Sequence, residues 1–115
     1  MEEKRLRLAV QLRIFSGEEK CFGPGVATLL ERVQSTHSLR QAAISMEMAY
    51  SKAWRMIKTA EENLGFALLT SVTGGKGGGG AVLTDAGQQF LDTYRTFERA
   101  VRDYAEEAFV EMMGQ

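Results

Sequence analysis

Polar and apolar positions along the chain change period several times, and each change marks a predicted element. Leu6, Leu8, Val10, Leu12 and Ile14 alternate with Arg5, Arg7, Ala9, Gln11, Arg13 and Phe15, the period of a strand with one buried face. Ser16, Gly17, Glu18 and Glu19 make a turn, and Lys20, Cys21 and Phe22 return as a short partner strand. Past Gly23 the period lengthens. Pro24 suits the first turn of a helix, and Val26, Leu29, Leu30 and Val33 form its stripe. A second helix starts at Ser38, where Ser38 and Gln41 form a capping box: the hydroxyl accepts from a free first-turn amide while the glutamine side chain reaches back to the cap residue. Leu39, Ala42, Ala43 and Met46 follow at helical spacing, the two alanines small enough for close approach of another helix. Glu47 and Met48 interrupt that pattern. A third stripe, Ala53, Ile57, Ala60 and Leu64, runs to a stop at Gly65.

Residues 68–72 and 81–83 read as two short strands joined by Thr73, Gly74, Gly75, Lys76, Gly77, Gly78, Gly79 and Gly80. Thr84 then serves as an N-cap with Asp85 in the first turn, and no proline follows, which allows a helix of about seven turns. Phe90, Tyr94, Phe97, Val101, Tyr104 and Ala108 recur along it at heptad spacing. Such a stripe, on a helix too long for a small head to cover, asks for a partner helix; the alternative is that it folds back on its own domain. The predicted class is mainly α with a small β component.

Residues 38–69 thus form helix, turn and helix, and the second of the pair carries candidate chemistry. At 100° per residue, Ser51, Arg55, Lys58, Thr59 and Glu62 project opposite the apolar stripe, with Lys52 on the flank and Tyr50 and Trp54 nearer the buried side. Apart from Glu62 that face is basic and hydroxylic. Arginine can grip guanine bidentately in the major groove, while Lys, Ser and Thr bond phosphates or base edges. Periodicity alone favours an ordinary helical-hairpin core over nucleic-acid binding.

The ungapped stretch 38–69 resembles the DNA-binding helix-turn-helix of LysR-type regulators, in its S-x-x-x-AA start, its helix spacing and its final E-x-x-LG-x-x-L. MAYSKAW and TGGKGGGGAVLT are similar to a narrower group, the N-terminal winged-helix domain of ModE-type molybdate-responsive regulators. The resemblance implies a winged helix-turn-helix with an N-terminal β-hairpin and a long C-terminal dimerisation helix. Residues 1–83 would be the DNA-binding head and 84–115 the dimerisation helix, part of the same compact unit. It implies double-stranded DNA and a second copy of the chain as partners. Tyr50, Ser51, Lys52, Arg55, Lys58 and Thr59 would read DNA; Ser38, Arg40 and Gln41 would open the motif. Phe90, Tyr94, Phe97, Val101, Tyr104 and Ala108 would pair two copies over a palindromic site. The chain departs from the pattern at Ala49, where these families place a serine cap, at a cost of about 1 kcal/mol; Ser51 could replace it if the helix started later.

Three readings compete for the glycine-rich loop. Its bare backbone amides and Lys76 suit a wing on DNA backbone or minor groove, with Thr73, Gly74, Gly75, Lys76 and Gly77 in contact. A flexible connector is the second. A nucleotide-binding loop is the third and the weakest, since Lys76 is followed by glycine, with no hydroxyl for magnesium.

Composition narrows the remaining classes. At 44% hydrophobic residues, the 115-residue chain can bury the core of one domain. No run of about 18 apolar residues and no signal-peptide pattern occurs, so the expected location is cytoplasmic. A single Cys21 beside a single His37 offers no disulfide and no metal cluster. No acid, base or nucleophile constellation suggests an enzyme, and no cofactor is expected. In ModE-type sensors molybdate is held by separate C-terminal domains, which these residues do not include. The net charge is only −1, yet residues 38–58 carry four basic and one acidic side chain (+3), and residues 84–115 three basic and seven acidic (−4). A basic head and an acidic tail suit a protein that meets DNA on one side. The rival reading is a dimeric winged-helix interaction module that has lost DNA binding, in keeping with Ala49 and the mild acidity.

Overall fold

The computed structural model describes residues 5–73 and 80–114. Along the chain come β1 (Ile14–Ser16), β2 (Glu19–Phe22), α1 (Pro24–Thr36), α2 (Leu39–Ser45), α3 (Tyr50–Leu64), β3 (Leu69–Val72), β4 (Gly80–Leu83) and α4 (Asp85–Met113). The architecture is the expected one: mainly helical, with an N-terminal β1–β2 hairpin, a β3–β4 hairpin after α3, and a long α4.

Helices α1, α2 and α3 pack around a core that Phe22, Leu29, Leu30, Val33, Leu68 and Leu91 fill. Ala42, Ala43, Ala53 and Ala60 are buried where helices approach, as their size requires. Phe22 anchors the hairpin by edge contacts with Phe90 at 4.8 Å and Tyr94 at 5.0 Å between ring centroids. The neighbouring Cys21 is also buried, which pushes its thiol up from the ordinary value.

One element is shorter than its pattern predicts. Strand pairing stops at Ile14↔Phe22, so residues 5–13 run without a strand partner among the described residues. Alternation specifies a two-faced extended segment, but a strand needs a ladder, and β2 supplies only four residues. The alternation itself persists: Leu8, Val10 and Leu12 are half-buried, while Arg5, Arg7, Ala9, Gln11 and Arg13 are exposed. Tyr94 Oη donates to the Leu12 carbonyl at 2.7 Å and ties this arm to α4.

Ser38 caps α2 as predicted, its Oγ accepting from Gln41 N at 3.0 Å. The second half of the capping box is replaced: Ser38 N donates to Thr36 Oγ1 at 3.3 Å rather than to Gln41. At the far end of α2, Arg32 of α1 donates to the Ser45 carbonyl at 3.1 Å and to its hydroxyl at 2.9 Å, satisfying orphan acceptors at a helix C-terminus.

Wing and long helix meet the head at two close approaches. Ala81 N donates to the His37 carbonyl at 3.0 Å, and a Cβ on Gly80 would stand 2.4 Å from that same oxygen. Thr84 Oγ1 caps α4 by accepting from Gly87 N at 2.9 Å, while Thr84 N donates to the Leu68 carbonyl at 3.0 Å. Farther along, Arg95 forks onto Glu31 of α1 at 2.7 and 3.1 Å and reaches the buried Glu98 at 2.9 Å. The hydrogen bonds to Glu31 lead in holding its guanidinium protonated well above the ordinary value, against the opposing effect of burial. No described helix is long and apolar enough to cross a membrane.

Candidate nucleic-acid interface

Helix α3 starts at Tyr50 with Ala49 as its N-cap residue and no side-chain cap, so the missing serine is not replaced by Ser51, which lies inside the helix. The four-residue turn before it places Glu47 in the left-handed region at φ 54. Ala53, Ile57 and Ala60 face the core. Ser51, Lys52, Arg55, Lys58 and Glu62 are exposed on the other side, in keeping with the helical projection, and Thr59 is half-buried at its edge.

Two cation–aromatic contacts organise this face. The Arg40 guanidinium of α2 lies 4.3 Å from the ring centroid of Tyr50, bridging the two helices of the motif across their turn. Lys58 Nζ lies 5.5 Å from the Trp54 ring and 3.3 Å from Glu61 Oε1. Trp54, expected partly in the core, is 48% exposed, and with Tyr50, Lys58, Thr70 and Ser71 it borders a groove between α3 and β3. On the opposite flank Lys52, Arg55, Met56 and Thr59 border a cavity of about 460 Å³ shared with Lys20, Cys21 and the start of α1. Arg40, Lys52 and Arg55 have no acidic partner within 4 Å among the described residues. Three free cations, the hydroxyls of Ser51 and Thr59 and two half-exposed aromatic rings therefore share one side of the head, groups able to bond phosphates, base edges and sugars.

Sequence reasoning did not find the Arg40–Tyr50 contact, because the two residues are separated by a turn whose path no local pattern specifies. It also missed Glu61, whose Oε2 accepts from Leu68 N at 2.8 Å and Leu69 N at 3.3 Å and so fixes the root of the wing to the end of α3. Of the predicted wing contacts, Thr73 is exposed beyond β3, and Gly74, Gly75, Lys76 and Gly77 lie outside the described residues. Of the predicted pairing residues, Tyr94 is buried in the core of its own chain and Phe90 packs against that core; Val101 and Ala108 are half-buried, and Phe97 and Tyr104 are exposed. Among the described residues no group of three or more His, Cys, Asp or Glu could hold a metal ion.

Comparison with known proteins agrees with this geometry. Residues 27–88, more than half of the chain, match the family model of the bacterial regulatory helix-turn-helix proteins, lysR family. Similar proteins include the molybdenum transport protein ModE of Herbaspirillum seropedicae, 38% identical over 71 residues, or 62% of this chain and 26% of the relative. The molybdenum-pterin-binding protein MopB of Rhodobacter capsulatus is 36% identical over 73 residues, 64% of this chain and 27% of its own length. The DNA-binding transcriptional dual regulator ModE of Escherichia coli K12 is 34% identical over 89 residues, 77% of this chain and 32% of the relative. The chain thus spans about a quarter to a third of the length of the curated relatives it matches. With the fold, the exposed basic face and the family match together, the chain belongs to the bacterial regulatory helix-turn-helix proteins of the lysR family, as a winged-helix domain related to ModE.

Proposed function

We propose that the chain is a sequence-specific DNA-binding transcriptional regulator, not an enzyme, and that it binds a roughly palindromic site as a homodimer. The observation that carries this reading is the outer face of α3, where Ser51, Lys52, Arg55 and Lys58 stand exposed while Ala53, Ile57 and Ala60 hold the helix on the core. In this reading α3 enters the major groove, Arg55 reads a guanine edge, and Lys52, Lys58 and Arg40 engage phosphates. Tyr50, Ser51 and Thr59 complete the α3 surface, and Ser38 and Gln41 keep the start of α2 in place. The wing residues Thr73, Gly74, Gly75, Lys76 and Gly77 take the flanking backbone on their chemistry. The exposed Phe97 and Tyr104 of α4 lie on the face that joins two copies. Molybdenum-linked genes are the regulatory setting that the names of the relatives suggest.

Binding to a labelled duplex from the gene's own upstream region, titrated with salt, tests this reading. Affinity should fall steeply with salt, because each phosphate contact releases counterions. Lys52→Ala and Lys58→Ala should each reduce the salt slope by about one, and Arg55→Ala should cost about 1–3 kcal/mol of discrimination between matched and mismatched sites. A chain that shifts no duplex at low salt is instead a winged-helix interaction module without DNA binding, the reading that the uncapped start of α3 favours.

A further inference from the structure

Two surfaces of the chain carry opposite charge. The first is the arm, residues 5–13, which carries Arg5, Arg7 and Arg13 with no acidic residue. From Leu8 onward its apolar side is turned inward: Leu8, Val10 and Leu12 are half-buried, Tyr94 holds the Leu12 carbonyl, and only Leu6 is exposed, at 60%. Arg5 and Arg7 are exposed, Arg13 donates to Gln11 Oε1 at 2.9 Å, and the arm's backbone lacks a strand partner among the described residues. The second is the distal half of α4. The buried residues of α4 are Gly87, Leu91, Tyr94 and Glu98, all in its first half. Beyond them Asp103, Glu106, Glu107 and Glu111 are exposed, with no basic residue between positions 103 and 113. Tyr104 is 75% exposed in the same stretch, and Val110, Met112 and Met113 are also exposed.

No ion pair links the arm to these acids among the described residues. Nine extended residues span about 30 Å at ~3.3 Å per residue. The acids from Asp103 to Glu111 cover about 12 Å at 1.5 Å per residue, enough to face Arg5 and Arg7, which stand about 7 Å apart at one end of the arm. The charges are opposite in sign, Arg5 and Arg7 on the arm against the four acids from 103 to 111. We propose that in the homodimer the arm of each copy lies with its arginine side along the acidic distal half of the other copy's α4, so that the two copies clasp each other reciprocally. This rests on the dimeric reading above and adds to it the surface and the charges that select the partner. Opposite charges disfavour unrelated helices and set register more than they add affinity.

Charge exchange between two variants tests the proposal. Variant one carries Arg5→Glu and Arg7→Glu; variant two carries Glu106→Lys and Glu107→Lys. All four positions are exposed, and circular dichroism checks that both variants fold. Sedimentation at micromolar concentration should show a dimeric parent chain. Each variant alone should dissociate at least about tenfold more readily, since every arm then meets a like-charged helix, with several modest surface pairs lost together. An equal mixture should recover dimers to within about threefold of the parent, because in the mixed pair each arm again meets opposite charge. A monomeric parent overturns the dimeric reading itself. A dimeric parent with unaffected variants overturns the clasp alone. Weakened variants that mixing does not rescue place the contact within one chain and also overturn it.

Discussion

Replacing Gly87 by alanine reverses the usual sign of a helix substitution. In an ordinary helix interior glycine to alanine stabilises by roughly 0.5–1 kcal/mol, through propensity and the lost freedom of the unfolded chain. At Gly87, the third residue of α4, the new Cβ would lie 2.5 Å from the Leu68 carbonyl oxygen and 3.0 Å from Leu68 Cα. Neither side can give easily. The Leu68 oxygen already accepts from Thr84 N at 3.0 Å, and Gly87 N is held by Thr84 Oγ1 at 2.9 Å. Overpacking against fixed backbone costs about 1–3 kcal/mol, so a net loss of about 1–2 kcal/mol is expected after the propensity gain. That corresponds to a fall in Tm of roughly 5–10 °C for a domain near this size. Gly25 supplies the control: a Cβ there would touch only Met56 Cε, at 3.4 Å, the far end of a flexible side chain. Gly25→Ala should raise Tm by a few degrees, in line with a gain of about 0.4–1 kcal/mol. Thermal melts of both variants followed at 222 nm decide the matter. A Gly87→Ala chain as stable as its parent would refute the claim that α4 is seated on the backbone of Leu68.

Two further predictions concern the seat of α4. Arg95→Met leaves Glu98, 6% exposed, with only the longer Arg102 contact at 3.6 Å and should cost about 2–3 kcal/mol in urea unfolding; adding Glu98→Gln should recover part of that loss, because the poorly compensated buried charge is then gone. Tyr94→Phe removes the hydrogen bond to Leu12 and should cost about 1 kcal/mol near neutral pH. Burial, and secondarily the nearby Glu98 charge, raise the Tyr94 phenol in the folded chain above its ordinary value of 10.0. The phenol's contribution is therefore complete below pH 10 and is lost as pH rises through the folded-state value. The stability gap between Tyr94→Phe and the parent should accordingly narrow above pH 10, and a gap that widens there contradicts the assignment.

Elements with their own punctuation were legible in the sequence. Ser38 and Thr84 cap the helices they were expected to cap, and Gly65 ends α3 in the left-handed region. Ala53, Ile57 and Ala60 are buried as one stripe, which is why the exposed cations of α3 could be named from spacing alone. Features that depend on a distant partner were not legible. The alternation of residues 5–13 described a segment with two faces, but nothing local records that β2 ends after four residues. On α4 the heptad pattern contains two overlapping stripes. The chain's own core takes the one through Gly87, Leu91, Tyr94 and Glu98, leaving Phe97 and Tyr104 outside, and only tertiary packing chooses between them.

The peptide units of Leu68 join the two helices on which the proposed function depends. Leu68 N donates to Glu61 of α3 at 2.8 Å, and the Leu68 carbonyl accepts from Thr84 at the start of α4 at 3.0 Å. A shift in the direction of α4 must therefore move Leu68 or break one of these bonds, and moving Leu68 pulls on the end of α3. If so, Glu61→Ala and Gly87→Ala cannot act independently. Each alone should destabilise, Glu61→Ala by about 1–3 kcal/mol for the amides of Leu68 and Leu69 left without an acceptor. Once Glu61 is gone, Leu68 can yield to a Cβ at position 87 at lower cost. The double variant should then lose less than the sum of the two single losses, by about 0.5 kcal/mol or more. Strict additivity in a denaturation cycle would show that the two helices are anchored separately, and that the pairing of α4 in the proposed dimer gives no control over the direction of α3.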